Sequence, residues 1–304
     1  MPVSTAAPGV ASLFPTLTLD QFREQHWPDR YLAYDGPAQR LSGLADSKEL
    51  EDIRSLLQVH HGPVKTMSTA VSGEHFEVPI SPARAIIIYK LATPICLGDV
   101  HQQLPVLDEW RKALARELAV PERSTNCSAY ATPSGKGVPW HFDNREIFVV
   151  QLQGHKQWQI ADNTAVAFPT QNYGPGASWN WDSYPELGSY YHPSSHVEPV
   201  ASATVEMLPG SVLFLPRGTW HRTVAHDDSL SLTFGLFTPM AMELLLAAIR
   251  SRLVRQANWR KPQASATQEQ RAAARRRLET LVSSWREDAG QITIEHLIVE
   301  LEKA

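Results

Sequence analysis

From Asn126 to Phe237 the sequence consists of short β-prone segments separated by glycine and proline, and this pattern limits the fold more than any other feature. Several short strands with turn residues between them indicate an all-β barrel or sandwich rather than alternating strands and helices. We predict strands at Cys127–Thr132, His141–Leu152, Gln157–Ile160, Ala203–Met207, Val212–Leu215 and Leu230–Phe237.

Helical patterns flank this β region on both sides. Residues 1–12 are rich in Ser, Ala and Pro and are predicted to be disordered. Apolar spacing predicts helices at Leu19–Trp27, Ser47–Val59 and Leu104–Leu118, whereas the β-branched run Ala85–Tyr89 predicts a buried strand. After Pro239 the composition changes to Ala, Leu, Arg and Glu, and helices are expected at Ala241–Ala257, Thr267–Ser284 and Ile292–Glu302. The predicted organisation is a β domain over residues 13–239 followed by a helical region over residues 240–304.

Composition argues against several classes of protein. A net charge of −4 gives no overall attraction to nucleic acid or to an anionic membrane. The arginines of the C-terminal helices are interleaved with acidic residues, so nucleic-acid binding is not expected. Cys96 and Cys127 form no C-x-x-C pair and are too few for a disulfide framework. Met1–Phe14 lacks the pattern of a secretory signal, and no apolar run approaches membrane-spanning length. A cytoplasmic protein is therefore expected.

His141 and Asp143 are two residues apart in a segment that is predicted to be extended. Side chains at i and i+2 of a strand point to the same face, so both can bind one ion. His221 follows 80 positions after His141, at the end of a glycine-framed turn. Two histidines and one carboxylate form the facial triad of non-haem iron(II) oxygenases. An H-x-D pair alone is weak evidence, and His192, His196 and His226 compete with His221. We prefer His221, because His226 precedes two aspartates in what looks like a solvated turn.

A second group of residues fits a pocket for a dicarboxylate beside this ion. Lys156 follows the Gly154 turn, where its ammonium can reach inward and bind a distal carboxylate; an exposed hairpin lysine is the alternative. Ser231, Thr233 and Gly235 alternate with apolar residues along one predicted strand. Ser128, Tyr130 and Thr132 alternate in the same way, which suits either a polar pocket or a half-exposed strand.

Four segments together resemble the JmjC family, and within it the cupin-type ribosomal-oxygenase branch. These segments are Trp140–Asp143, Phe148–Trp158, Leu208–Gly210 and Leu215–His221. The resemblance implies a double-stranded β-helix (jelly-roll) core with flanking helices. It makes His141, Asp143 and His221 the ligands of Fe(II) and places Lys156 on the distal carboxylate of 2-oxoglutarate.

The resemblance also implies further pocket residues. Tyr130, Ser128 and Ser231 fall on strands that line the pocket in the family. The ribosomal-oxygenase branch often has Asn two places before the tyrosine, whereas here Ser128 holds that place and Asn126 lies two further back.

The implied activity is hydroxylation of a protein or peptide side chain, coupled to decarboxylation of 2-oxoglutarate to succinate and CO₂. A small-molecule hydroxylase and a catalytically silent metal-binding scaffold are the alternatives, and demethylation shares the same early chemistry. The aromatic loop 171–196 is expected either to cover the barrel mouth or only to pack over it. The many apolar residues after Pro239 predict a homodimer through the C-terminal helices.

Overall fold

The computed structural model describes residues 7–41, 43–69, 75–174, 199–262 and 267–303. The chain divides into two compact units, Met1–Thr238 and Pro239–Ala304. The predicted aromatic loop lies largely outside the described residues. Among the described residues, no helix combines the length and the apolar character that crossing a bilayer requires.

The first unit is mainly β with helices before and between its strands, as predicted. Its helices are α1 (Val10–Leu13), α2 (Leu19–Gln25), α3 (Ile53–Val59), α4 (Pro82–Lys90) and α5 (Pro105–Glu117). Its strands are β1 (Leu32–Tyr34), β2 (Val64–Thr69), β3 (His75–Ile80), β4 (Ile95–Leu97), β5 (Thr125–Thr132), β6 (Glu146–Gln153), β7 (Lys156–Ala161), β8 (Ala203–Met207), β9 (Val212–Leu215), β10 (Trp220–Ala225) and β11 (Ser229–Leu236).

These strands form two antiparallel sheets. The larger sheet has the order β1-β9-β6-β11-β5-β4-β2-β3, and the smaller sheet has the order β10-β7-β8. The chain crosses between the sheets several times, because β6, β9 and β11 belong to the larger sheet whereas β7, β8 and β10 belong to the smaller one. This exchange places residues from distant parts of the sequence side by side.

The larger sheet is covered on both faces, as the alternation of its side chains shows. In β6, Phe148 and Val150 pack in the main core with the N-terminal helices. Ile147 and Val149 instead join Trp158 of β7 in a second cluster, which also contains residues of β8 and β9. A period of two explains this division, since successive side chains of a strand point to opposite faces. The second cluster links the two sheets beside the cavity described below.

Three local predictions are wrong. Ala85–Tyr89 lies in helix α4 rather than in a strand, because Pro82 at the first helical turn favours a helix start and the apolar run is too short to decide between the two forms. The predicted strand His141–Leu152 begins only at Glu146, because the chain crosses from the smaller sheet to the larger one after Asp143. The disorder predicted for residues 1–12 is wrong for the last of these residues, because a helix begins at Val10.

The N-terminal correction has a clear packing reason. Val10 begins helix α1 and is fully buried, and its backbone N–H donates to Glu117 Oε2 at 2.6 Å. Residues 1–6 lie outside the described part of the chain.

The second unit is helical. Its helices are α6 (Ala241–Leu253), α7 (Ala257–Arg260), α8 (Gln268–Ala289) and α9 (Ile294–Lys303). Helices α6 and α9 are joined by a hydrogen bond from Ser251 Oγ to Glu300 Oε1 of 3.0 Å.

Candidate active site

The segment that carries His141 runs antiparallel along strand β10, which carries His221. We call residues 135–141 the histidine strip. Its backbone bonds to β10 begin with Gly135 N–H to Ala225 O and continue through Thr223 N–H to Val138 O, at 2.8 and 2.9 Å. The ladder ends where His141 and His221 exchange two backbone hydrogen bonds of 3.0 and 2.8 Å. This pairing sets the two imidazoles side by side, with ring centroids 4.1 Å apart.

Asp143 completes a group of three ligand residues. The Nε2 atom of His221 lies 4.0 Å from Asp143 Oδ2, and one ligand atom from each of His141, Asp143 and His221 lies within 4.8 Å of the other two. Ligands that share one divalent ion at about 2.0–2.2 Å stand roughly 3 Å apart, so the three side chains would close in slightly to hold one ion. The structure therefore brings together the three residues that were predicted as metal ligands.

Backbone carbonyls orient both imidazoles. His141 Nδ1 lies 2.8 Å from Pro139 O, and His221 Nδ1 lies 2.9 Å from Thr219 O. Because a carbonyl oxygen can only accept, each Nδ1 carries the proton and donates it. Each Nε2 is left with a free lone pair, as metal ligation requires.

The electrostatics of the group favour the forms that bind a metal. Burial, reinforced by the nearby His141, lowers the pKa of His221 to about 3, so its imidazole is neutral at ordinary pH. Burial opposes ionisation of Asp143, but Arg145 and the two imidazoles together hold the pKa of its carboxyl below the usual value. Arg145 Nη2 lies 3.8 Å from Asp143 Oδ1.

The turn before β10 is tied to the segment that contains Asp143. Gly218 N–H donates to Asp143 O at 2.8 Å. Arg217 Nε lies 3.3 Å from Glu146 Oε1, and both side chains are almost completely buried, at 6% and 5% exposed. Glu146 also accepts a hydrogen bond of 2.8 Å from Thr238 Oγ1. The segment of His141 and Asp143 is therefore bonded to the segment of His221 both at His141 and after Asp143.

The triad opens into a cavity of about 230 Å³ between the sheets. Three groups of side chains line the part beside the triad. Trp158 stacks on His221 with ring centroids 5.5 Å apart. Tyr130, Ser231 and Thr233 come from the larger sheet, and the remaining lining residues include Glu77, Arg145, Lys156, Asn172 and Tyr173. The alternation predicted for β5 and β11 thus turns polar side chains into a cavity rather than toward bulk water.

Lys156 is a buried cation in the wall of this cavity. Its side chain is inside the fold at 3% exposure, and burial lowers its pKa to about 7. Its Nζ lies 3.3 Å from Ser231 Oγ, and it forms no ion pair with any described residue. A buried ammonium is costly unless it is paired with an anion. Trp158 Nε1 is a second buried donor that has no hydrogen-bond partner among the described residues. This donor set fits a ligand that carries a carboxylate.

Two of the predicted pocket residues do not line this cavity but a neighbouring one. Ser128 and Asn126 line an adjoining cavity of about 330 Å³, whose lining residues shared with the first one include Asp143, Tyr130 and Arg145. Asn126 and Ser128 precede Tyr130 on β5 in steps of two residues, so all three side chains point to the same face of the sheet. Of the competing histidines, His226 lies outside the cavity lining, and His192 and His196 lie outside the described residues.

Sequence reasoning missed Arg145, Trp158 and Glu77. Arg145 follows Asp143 by two residues, the same spacing that singled out His141, so the period of two could have placed it beside the carboxylate. Trp158 follows Lys156 at the same spacing on the inward face of β7. Glu77 lies in a region where the sequence predicted no strand, and no signal pointed to it.

Comparison with known proteins agrees with this geometry. Residues 99–244 match the family model described as the JmjC domain. This part of the chain is similar to a JmjC domain. The uncharacterized protein YxbC of Bacillus subtilis is 27% identical over 296 residues, which cover 94% of this chain and 89% of that protein. A probable ribosomal oxygenase of Haemophilus influenzae is 24% identical over 235 residues, or 75% of this chain and 52% of that protein.

The fold of this chain is also found in a solved structure. The X-ray structure of E. coli ycfD aligns with a TM-score of 0.53 at 16% identity, covering 93% of this chain and 70% of that one. The predicted JmjC/cupin fold and the resemblance to the ribosomal-oxygenase branch are thereby confirmed. The chain spans about half the length of the Haemophilus relative.

Proposed function

We propose that the protein is an Fe(II)- and 2-oxoglutarate-dependent oxygenase that hydroxylates a protein or peptide side chain. The observation that carries the proposal is the convergence of the His141, Asp143 and His221 ligand atoms in a cavity that also contains Lys156, which has no counter-ion among the described residues. Bound together, Fe(II) and 2-oxoglutarate supply the oxidising chemistry, in which decarboxylation of 2-oxoglutarate to succinate and CO₂ activates O₂.

The residues of this chain have separate tasks in that reaction. His141, Asp143 and His221 would hold the ion, and a set of only three protein ligands would leave positions for the co-substrate. Lys156 and Ser231, which line the same cavity, would bind and orient the distal carboxylate of the co-substrate. Trp158, stacked on His221, excludes water from this part of the cavity and holds the imidazole in place.

A protein substrate is supported by the relatives rather than by the cavity. The Haemophilus relative is described as a probable ribosomal oxygenase, which suggests a ribosomal protein as its target. We extend that class of substrate to this chain. A small-molecule substrate is the second candidate, favoured by the modest volume of the cavity, about 230 Å³.

The first test is spectroscopic. Anaerobic protein is titrated with Fe(II) and then with 2-oxoglutarate, and the expected result is a metal-to-ligand charge-transfer band. His221→Ala should abolish the band, whereas His226→Ala, which changes a histidine outside the cavity, should retain it. Absence of the band from the native chain, or its persistence in His221→Ala, would refute the assignment of the triad.

The second test concerns the substrate. Succinate release is measured with Fe(II), 2-oxoglutarate and O₂, with and without peptides from ribosomal proteins. Stimulation by a peptide, with an added mass of one oxygen on that peptide, supports a protein hydroxylase. Stimulation by small molecules alone favours the second candidate, and a charge-transfer band without any turnover favours a silent metal-binding scaffold.

A further inference from the structure

A second set of two histidines and a carboxylate lies on the smaller sheet, away from the cavity. His155 lies in the turn between β6 and β7, Glu206 lies on β8, and His226 directly follows β10. All three side chains reach solvent, whereas Lys156, the next residue after His155, is buried in the cavity wall. We propose that these three residues bind a divalent transition-metal ion, in a site that is separate from the triad.

The distances within this outer group suit one ion. One ligand atom of each residue lies within 4.8 Å of the other two. His155 Nε2 and Glu206 Oε2 are 2.6 Å apart, and the two imidazole centroids are 4.6 Å apart. Ligands that bind one ion at about 2.0–2.2 Å stand roughly 3 Å from each other. A small rotation of exposed side chains opens the His155–Glu206 contact to that spacing.

The backbone holds the two histidines together in advance. The N–H groups of His226 and Asp227 both point to the carbonyl oxygen of His155, at 2.8 and 3.4 Å. Since β7 also pairs with β8 beside Glu206, the backbone of the smaller sheet brings all three chain segments together. Ligands that are already positioned lose less conformational entropy when an ion binds.

A neighbouring amide orients the carboxylate. Gln157 Nε2 donates to Glu206 Oε1 at 2.7 Å, across the pairing of Gln157 with Glu206 in β7 and β8. This contact occupies one carboxylate oxygen and directs the other toward His155. Hydrogen bonds of this kind to a ligating carboxylate typically change metal affinity by about 10–100-fold.

The donor types indicate which ions are expected. Two imidazoles and one carboxylate suit Zn²⁺, Ni²⁺, Cu²⁺ or Co²⁺, whereas Mg²⁺ and Ca²⁺ prefer oxygen donors alone. The partly exposed position leaves room for water as a fourth ligand. An ion here would connect the β6–β7 turn to β8 and to the end of β10, and so would stabilise the smaller sheet beside Lys156.

The test counts zinc ions. Metal-free protein is dialysed against Zn²⁺ alone, and bound zinc per chain is measured for the native protein and for His226→Ala, His155→Ala and Glu206→Gln. Each variant should lose one ion or bind it at least roughly tenfold more weakly, because one of three ligands is gone. His61→Ala, which removes an exposed histidine outside the group, should bind as the native chain does.

Two further measurements separate the outer site from the triad. In a His221→Ala background, His226→Ala should still remove one ion, because the sites are independent. Gln157→Leu should weaken the same ion by roughly tenfold without changing the ligands. Equal zinc binding, in number and affinity, by the native chain and by both histidine variants would overturn the proposal and leave His155 and Glu206 as a surface ion pair.

Discussion

Lys156 shows how one buried side chain connects the fold to the proposed chemistry. Strand β7 places it inside the cavity, where burial lowers its pKa to about 7. Near neutral pH the lysine is therefore close to half charged when no anion is bound, and a bound carboxylate favours the charged form.

This pKa predicts that the affinity for 2-oxoglutarate falls as the pH rises. Above about pH 7 the free protein has lost the proton from Lys156 and must take one up when the dicarboxylate binds. The affinity should therefore fall by up to about tenfold per pH unit. The measurement is an anaerobic titration, followed through the charge-transfer band, at about pH 7, 8 and 9.

Substitutions of Lys156 give the matched controls. In Lys156→Arg the guanidinium stays charged over this range, so the pH dependence should disappear. Lys156→Met should weaken binding by roughly 10–100-fold at about pH 7, because a charge-assisted hydrogen bond is lost. A flat profile for the native chain would show that Lys156 remains protonated in the free protein.

At the residue scale, site residues could be predicted from the sequence where their spacing places them on the same face of a strand. His141 and Asp143 could be paired because a period of two puts them on one face. Arg145 stands at the same spacing from Asp143 but was not predicted. A cation was expected only at the distal carboxylate of 2-oxoglutarate, and not beside the Asp143 carboxylate. Ser128 and Asn126 were placed in the pocket by family resemblance, and no sequence rule says how far along β5 the cavity extends.

At the scale of elements, the histidine strip is held against β10 by an unusually close approach at Gly137. A Cβ atom at this position would lie 1.7 Å from Thr223 O, far inside any tolerated contact. Glycine is therefore required here for space, because any side chain would push the strip away from β10.

Gly137→Ala should accordingly separate the two histidines. We expect a decrease of about 1–3 kcal/mol in the free energy of unfolding and at least roughly tenfold weaker Fe(II) binding. Urea denaturation and metal titration measure the two effects.

Gly135→Ala in the same strip is the control. Its φ of +74° makes alanine strained, by about 1–2 kcal/mol, but no atom lies within 4 Å of the added Cβ. It should lower stability while leaving metal affinity intact. If Gly137→Ala binds Fe(II) as tightly as the native chain, the strip does not position His141.

The buried pair of Arg217 and Glu146 is predicted to stabilise the segments around the triad. Arg217→Met leaves the Glu146 carboxylate buried without its cation, which should lower the free energy of unfolding by about 3–5 kcal/mol. The double variant Arg217→Met/Glu146→Met should recover much of that loss, since no charge then remains buried. Urea denaturation of the single and double variants tests this.

An exposed acid provides the comparison for the buried pair. Asp20 is 83% exposed and pairs with Arg23, so Asp20→Asn should change stability by less than about 1 kcal/mol. A similarly small effect of Arg217→Met would mean that the buried pair contributes no more than a surface one.

Element types were predictable where the pattern was long or regular. The strands β5, β7, β8, β9 and β11 follow the predicted segments closely, because alternation and flanking turn residues both mark them. The run Ala85–Tyr89 was misread because five apolar residues fit either a strand or one side of a helix. In helix α4, Ala85 is buried and Ile87 is 59% exposed. Residues two apart would share one face of a strand, so this difference in exposure reflects the helix.

At the scale of the whole molecule, the C-terminal unit exposes many apolar side chains. Those that are at least two-fifths exposed are Met242, Leu245, Leu246, Val254, Leu278, Val282, Ile294, Ile298, Val299 and Leu301. Exposed apolar surface of this extent is typical of an interface with another protein. This agrees with the sequence-based expectation of a homodimer, which remains a prediction.

Light scattering at micromolar concentration should therefore give the mass of a dimer. Leu246→Glu places a charge on helix α6 at a side chain that is 59% exposed, and it should shift the protein toward the monomer. Leu91→Glu, at a position of the first unit that is 74% exposed, should leave the dimer intact. A monomeric native chain would exclude dimerisation through this unit.

The pair of backbone hydrogen bonds between His141 and His221 fixes which residue of β10 lies opposite His141. The ability to bind a metal therefore depends on the register of the two segments. Neighbouring residues of an extended segment point to opposite sides, so a slip of one position along β10 would present Trp220 or Arg222 opposite His141. Neither side chain is an ordinary iron ligand. If the triad binds iron as proposed, a chain misaligned in this way would not load it, so the loadable fraction includes only molecules in which two segments 80 positions apart have met in register.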